Sequence, residues 1–403
     1  MLGAAAAAGL NSAGIDVTTL GVAPTPAVSF AARTGGFGLG VVISASHNPP
    51  EDNGIKFLGA SGSKLCPESE TEIEGLLNES ATASGKEIGR LEHDASSLQA
   101  YVDTLAGLLP ERLDGFRLAL DCANGAASYL APELLRRLGA ELVTIGCEPD
   151  GDNINVECGA TRPGCIQEVT VEAGAALGVA FDGDADRCVF SDERGGLING
   201  DRMMGIWAAF QKSWNGLEPP VVVGTVMSNM GFENALEELG IRLERTPVGD
   251  RHVASRIEET QARIGGEQSG HIIFRELTPT GDGLLTAVQL LRVLKLSGCA
   301  ASELPPHFEN RPQLLVNVRV DDKDAWRRSA GVQSALKDAE RIVNGDGRVL
   351  VRASGTQPVV RVMVESRTEE ARDKAAERIV EALVREAGGE VQSRVDLTDA
   401  LGD

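Results

Sequence analysis

Short apolar runs alternate with longer segments of helical character along the 403-residue chain, and one phrase recurs three times. A helical stretch ends at glycine and an apolar strand follows at once. It is seen in "AAGLNSAGIDVTTLGV" around Gly14, in "ELLRRLGAELVTIGC" around Gly139 and in "NALEELGIRLERTPV" around Gly240. Glycine suits the left-handed position that closes a helix. Helix-glycine-strand is one half of a βαβ unit. Copies 125 and 101 residues apart predict three similar α/β domains in series. The first copy has no strand ahead of it, so the opening of the first domain is expected to be incomplete. The second domain begins with the strand in "RLALDCAN" and closes after "LGVAFDGDADR". A third occupies roughly Asn199 to Cys299. The polar, proline-bearing "SELPPHFENRPQ" reads as a linker. Beyond it, "LLVNVRV", the helical "ARDKAAERIVEALVREAG" and "PVVRVMVE" make a smaller α+β domain. The expected fold class is therefore α/β: three similar α/β domains with mixed sheets, then a smaller α+β domain. The expected boundaries are 1–98, 99–198, 199–306 and 307–403.

Composition narrows the function classes. A formal charge of −21 argues against nonspecific binding of nucleic acid or of an anionic membrane, which needs clustered cations. It leaves room for phosphate ligands held by a few local arginines. Seven scattered cysteines without a Cys-x-x-Cys read as reduced thiols of a cytoplasmic protein. Cys158 and Cys165, the closest pair, lack partners for a zinc site. "MLGAAAAAGLNSAGIDV" has no basic leader and reads as an ordinary helix rather than a signal peptide. No run of about 20 apolar residues predicts a membrane span.

Five polar stretches interrupt this pattern where strands end. In "VVISASHNPPEDNGIKF" a strand delivers Ser46 and His47 into a proline-stiffened loop. In "LGVAFDGDADR" a buried-type strand ends at Asp182, Asp184 and Asp186. Carboxylates at i, i+2 and i+4 can converge on one hard cation, and α/β folds place ligands at strand ends. A calcium loop would use the same three positions with Glu193 at the twelfth, but Arg187 stands where its turn glycine belongs. A dehalogenase-type phosphatase motif would want Thr or Val where Asp186 stands. A solvated acidic turn is the plain alternative. "GGEQSGHIIF" carries Glu267, Ser269 and His271, which would share one side of an extended chain and suit vicinal sugar hydroxyls. A tight turn would explain it equally. "RTPVGDRHV" ends a strand in a Gly249-Asp250-Arg251 turn. "RVLVRASGTQPVVRVMVE" sets Ser354-Gly355-Thr356 between two strands flanked by Arg352 and Arg361, a natural phosphate cradle. "GGFGLG" is no dinucleotide fingerprint, because a strand follows it rather than a helix. A lone serine is a poor nucleophile without a base or an activating ion. Ser46 therefore reads best as a phosphate carrier working with a metal ion.

Taken together, these motifs resemble the α-D-phosphohexomutase superfamily along essentially the entire chain. The resemblance implies four domains around one central cleft and a phosphoserine at Ser46. It implies Mg²⁺ bound by Asp182, Asp184 and Asp186 together with the Ser46 phosphate. Lys56 and His271 would sit near the reacting oxygens. His47, Arg187, Gly249, Asp250, Glu267 and Ser269 would contact substrate. Arg352, Ser354, Gly355, Thr356 and Arg361 would hold the non-reacting phosphate. Within the superfamily the chain is most similar to the bacterial phosphoglucosamine mutases, through "GEQSGH", "TVMSNMG", "TGDGLLTAVQLL" and "DCANGAA…PDGDNIN". That implies interconversion of glucosamine 6-phosphate and glucosamine 1-phosphate through a 1,6-bisphosphate, feeding UDP-N-acetylglucosamine and cell-wall synthesis. It also implies a cytoplasmic location and a possible homodimer. Phosphomannomutase or phosphoglucomutase activity is the near alternative. The chain departs from the pattern at Gln357, at Arg162, and in lacking roughly fifty residues with the Gly-Thr-Asp-Gly-Ile-Arg-Gly segment. A sugar-phosphate-binding protein without turnover is therefore a second expectation, and a calcium-binding protein a third.

Overall fold

A computed structural model describes residues 1–76, 88–354 and 358–398. The glycines of the recurring phrase, Gly14, Gly139 and Gly240, all have positive φ (82°, 100° and 62°), as the helix-closing role requires.

The chain divides into two compact units. The first comprises Met1–Val226 with Leu243–Pro305. It opens on the helix Leu2–Ser12. The sequence predicts one helix there, and one is found. Next come two separate two-stranded sheets. β1 (Val17–Thr19) runs parallel to β4 (Leu91–His93), and β2 (Leu39–Ile43) runs antiparallel to β3 (Ile55–Gly59). β1 and β2 gain no further strand partner among the described residues. Both line one cavity of about 1060 Å³, with Ala7, Leu10, Val28 and Phe37 on its walls.

A five-stranded mixed sheet follows in the order β6 (Glu141–Ile145), β5 (Arg117–Asp121), β7 (Leu177–Phe181), β8 (Cys188–Asp192), β9 (Leu197–Ile198). β5 pairs in parallel with β6 and β7, and β8 returns antiparallel to β7. Every residue of β7 and β8 is buried, so these apolar runs need no polar alternation. The next sheet has the order β11 (Arg242–Thr246), β10 (Val221–Thr225), β12 (Ile264–Gly266), β13 (Ile272–Phe274). The buried helix Gly283–Ser297 is capped by Asp282, whose carboxylate accepts from Leu285 N.

The second unit comprises Met227–Arg242 with Pro306–Asp403. Its antiparallel sheet has the order β15 (Gly347–Ala353), β16 (Val359–Ser366), β14 (Gln313–Arg319), β17 (Glu390–Asp396). The helices Ala330–Val343 and Glu369–Ala387 pack together over it around Val316, Val362, Ile379 and Leu383. This is the small α+β domain expected from the sequence, enlarged by β17 and the first of these helices. β17 escapes a periodicity reading because six of its seven residues are exposed or polar in an edge position. The stretch read as a linker holds one short turn of helix, Ala301–Glu303, and no regular element from 304 to 312. Among the described residues no helix is long and apolar enough to cross a membrane.

Candidate active site

β2 and β7 each end in one of the polar loops singled out above, and the fold brings the two loops together. Ser46 lies three residues past β2 with φ 56°, a left-handed conformation that costs a non-glycine residue energy and marks an imposed geometry. Ser44 Oγ accepts from Ser46 N at 2.9 Å, and Asn155 Nδ2 donates to Ser46 O at 2.9 Å. The Ser46 hydroxyl donates to Asp182 Oδ2 at 2.8 Å. Gly183 is obligatory here, because a Cβ would sit 2.4 Å from Ser46 O. His47 follows, half-buried, in the same turn.

Asp182, Asp184 and Asp186 are all buried, and one oxygen from each lies within 4.8 Å of the others. Burial, then the Asp186 and Asp184 charges, drive the Asp182 carboxyl well above the ordinary range. Asp184 goes the other way: against burial, the Lys56 ammonium holds its carboxyl down. Lys56 stands on β3 opposite Val42 and reaches Asp184 Oδ2 at 2.6 Å and Asp186 Oδ2 at 3.5 Å. Burial opposes its charge, but Asp186 and then Asp184 outweigh it and raise the amine above its usual value. Three buried carboxylates face Lys56 and, at Asp182, the Arg187 charge, and among the described residues Asp184 Oδ1 and Asp186 Oδ1 meet no protein donor. Hard oxygen donors with an excess of negative charge fit a divalent ion such as Mg²⁺. A calcium loop does not fit: the carboxylates follow a strand, and Glu193, at its twelfth position, instead accepts from Ser302.

Glu267, Ser269 and His271 do not lie on an extended chain. They form a tight turn between β12 and β13, in which Gly270 N donates to Glu267 O and Glu267 N to His271 O. Glu267 Oε1 accepts from Gly249 N at 2.9 Å, and Ser269 Oγ donates weakly to Glu267 Oε2 at 3.5 Å. Gly249, at φ 129°, gives the chain its entry to the helix Asp250–Thr260. His271 is buried, with Nε2 3.9 Å from Asp250 Oδ2, and its backbone forms a bridge with Arg187. Asp250 also pairs with Lys64. Against burial, His271 and Lys64 bring its carboxyl down to about 2.

In the second unit, Arg352 and Arg361 are directly paired residues of β15 and β16. Burial and then the Arg361 charge lower the Arg352 pKa. Like charges in opposed positions destabilise a sheet, and an anion between them would relieve the strain. Ser354 is buried just past β15, its N–H bonded to Val359 O and its carbonyl to Lys323 Nζ. Gly355, Thr356 and the departure at Gln357 lie outside the described residues.

Three participants escape sequence reasoning. Thr25 donates its hydroxyl to Asp184 Oδ2 from the start of a helix. Asn155 holds the carbonyls of both Ser46 and Asn48. Lys64 pairs with Asp250. Each is a common residue type, and only the tertiary contact sets it apart.

Four profiles of the phosphoglucomutase/phosphomannomutase group match in order. They are α/β/α domain I over residues 1–84, domain II over 99–196, domain III over 199–310 and the C-terminal domain over 315–382. A phosphoglucosamine mutase of Desulforudis audaxviator is 47% identical over 384 residues, 94% of this chain and 85% of that protein. The chain belongs to the phosphoglucosamine mutases of the phosphohexomutase superfamily. A second member, from Geobacillus kaustophilus, is 45% identical over 395 residues, 97% of this chain and 88% of its own length. A solved phosphoglucomutase/phosphomannomutase family protein from Burkholderia thailandensis superposes with a TM-score of 0.80 at 27% identity, over 97% of this chain and 88% of that one. Aspergillus fumigatus N-acetylphosphoglucosamine mutase, solved with GlcNAc-6P and magnesium, has a TM-score of 0.68 at 21% identity, over 90% and 92% of the two chains, a likeness of fold. Family membership makes this chain an enzyme, a phosphosugar mutase, and the fold class expected from the sequence holds.

Proposed function

We propose that this mutase interconverts glucosamine 6-phosphate and glucosamine 1-phosphate, with Ser46 as the phosphate carrier. The observation that carries the reading is the Ser46 hydroxyl, fixed 2.8 Å from Asp182 at the buried carboxylate cluster. In the forward half-reaction the bond from phosphorus to Ser46 Oγ breaks as one forms to the free sugar hydroxyl, which loses its proton. The resulting 1,6-bisphosphate turns around, and its other phosphoryl group returns to Ser46 Oγ. Asp182, Asp184 and Asp186, with oxygen from the phosphorylated Ser46, would hold Mg²⁺, which supplies charge neutralisation at the transferring group. Lys56 adds a fixed positive charge there, and His271 holds or releases the proton of the reacting hydroxyl. Glu267 and Ser269 bind sugar hydroxyls, with His47, Arg187, Gly249 and Asp250 shaping that part of the site. Arg352, Ser354, Gly355, Thr356 and Arg361 hold the phosphate that is not reacting.

The domain boundaries near residues 98, 198 and 306, a cytoplasmic location and a homodimer belong to the same reading. The direct test is intact mass after incubation with a hexosamine 1,6-bisphosphate and Mg²⁺, paired with a coupled assay for glucosamine 1-phosphate. The expected result is one added phosphate on the parent protein and none on Ser46→Ala, whose turnover falls by about 10³-fold or more. Phosphate incorporation in the alanine variant would remove Ser46 from the mechanism. Faster turnover of mannose or glucose phosphates would overturn the choice of sugar.

A further inference from the structure

Cys122 and Cys147 serve no step of the proposed mechanism, yet the fold places them side by side. Cys122 directly follows β5, and Cys147 lies two residues beyond β6, its parallel neighbour. Both converge on one carbonyl. Cys122 N donates to Ile145 O at 3.3 Å, and Cys147 Sγ donates to the same oxygen at 3.2 Å. Gly146, at φ 58°, folds the chain back between them, and its carbonyl accepts from Asn124 N at 2.6 Å. The two side chains lie close enough to shift each other's acidity. Cys122 is fully buried, whereas Cys147 is half-open to solvent.

We infer that Cys122 and Cys147 form a reversible disulfide when the protein meets hydrogen peroxide, with Cys147 as the attacking thiol. The asymmetry between the two supports this order. The neighbouring sulfur raises the Cys122 thiol and lowers that of Cys147, the one peroxide can reach. The Cys147 thiolate attacks one peroxide oxygen, forming an S–O bond as O–O breaks and hydroxide leaves. Cys122 sulfur then attacks the sulfenic sulfur, forming S–S as S–O breaks, and its proton leaves with the departing oxygen as water. The two thiols lose two electrons, and the peroxide is reduced to two water molecules. Other thiols lack one half of this arrangement. Cys66 and Cys299 are exposed, Cys188 is fully buried, and burial raises the Cys158 and Cys165 thiols alike, so neither of that pair is activated. The location gives the bond reach. The turn that holds Cys122 also sends Ala126 N to Gly183 O and accepts Asn155 N at Ala123 O, and Asn155 holds Ser46.

The test is peptide mapping without reductant after limited peroxide treatment, with remaining thiols alkylated. The expected result is a Cys122–Cys147 cross-linked peptide with the loss of two titratable thiols, both regained in dithiothreitol. In Cys147→Ser the cross-link disappears and Cys122 stays reduced. In Cys122→Ala a dimedone adduct accumulates on Cys147 that the parent does not show. Because Cys122 is buried, far-ultraviolet circular dichroism first confirms that this variant is folded; the Cys147→Ser result stands without it. Irreversible oxidation of Cys147 with no cross-link, a Cys158–Cys165 link in its place, or unchanged Cys122 oxidation in Cys147→Ser would each overturn the inference.

Discussion

Two strands of nearly the same sequence lead to the candidate active site: Leu39-Gly-Val-Val-Ile43 in β2 and Leu177-Gly-Val-Ala-Phe181 in β7. Their surroundings differ completely. β7 is flanked by β5 and β8, and all five of its residues are buried. β2 pairs only with β3 among the described residues, and Leu39 is 39% exposed where Leu177 is 0%. An apolar run ending at a polar loop therefore marks a site-bearing strand in both cases, and for β2 it does so without showing how few strands flank it. The marginal strand is not a marginal contributor, since β2 delivers Ser46 and its partner β3 delivers Lys56.

The strongest challenge to that view is Lys56→Met. If the lightly flanked sheet positions its lysine as tightly as β7 positions its aspartates, kcat falls by about 10²–10⁴-fold. Circular dichroism should be unchanged, because the side chain lies in a polar environment. Turnover within a few-fold of the parent would mean that β3 only brings a surface cation near the site.

Next in size is the joint between the two regions. Tyr101 donates to Asp282 Oδ1 at 2.8 Å, and its ring meets Phe30 on the helix that covers β2. Gly283 N donates to Ala185 O in the loop after β7. Burial pushes the Asp282 carboxyl up to about 6 from an ordinary 3.8, against its hydrogen bonds from Leu285 N and Tyr101. Between those two pH values the folded state binds more protons than the unfolded one. The stability contribution is thus complete below the lower value and lost as pH rises through the upper one, by up to about 3 kcal/mol. Asp282→Asn keeps the cap oxygen and the Tyr101 acceptor but cannot titrate. Urea midpoints from pH 4 to 7 should therefore fall more steeply for the parent than for the variant, and equal slopes would place the Asp282 pKa near its ordinary value.

The two glycines give the most direct comparison. A Cβ on Gly178 would lie 2.0 Å from Thr170 Oγ1 and 2.8 Å from Ile166 Cγ1 of the covering helix. On Gly40 the nearest atom, Val28 Cγ1, is 3.3 Å away. Gly178→Ala should cost about 1–3 kcal/mol as overpacking, and Gly40→Ala clearly less, because its neighbours need yield by only a few tenths of an ångström. Similar denaturation midpoints for the two variants would erase the contrast. The smallest expected effect is in amide exchange, where β2 and β3 should exchange about tenfold faster than β5 and β7.

Much of this was legible in the sequence, for reasons that particular residues make plain. Gly14, Gly139 and Gly240 mark helix ends because only glycine takes left-handed φ cheaply. The three aspartates announce a carboxylate cluster able to hold a cation, because identical charges are not buried at spacing two without a counter-charge. Local pattern could not show that Asn155 grips the Ser46 carbonyl 109 positions away, nor decide between an extended chain and the tight turn that Glu267 and His271 share. It marked the strand before the aspartates as buried-type but left the surroundings of β2 open, since those lie in neighbouring strands rather than in the pentapeptide. The paired arginines on β15 and β16 sat in plain view, because a hairpin puts residues flanking its loop opposite each other.

The 2.4 Å separation between Ser46 O and an imagined Cβ at Gly183 has a consequence for shuffling parts among mutases. The serine loop belongs to one stretch of chain, and Gly183 and Asn155 belong to another. A chimaera that takes its first hundred or so residues from one parent and the next hundred from a second inherits this contact only if both parents fold the serine into the same left-handed turn. Where they do not, either the glycine leaves a gap or the amide of Asn155 loses its carbonyl. The recombination unit is therefore the pair of loops, and a crossover placed at the seam between the domains cuts through it.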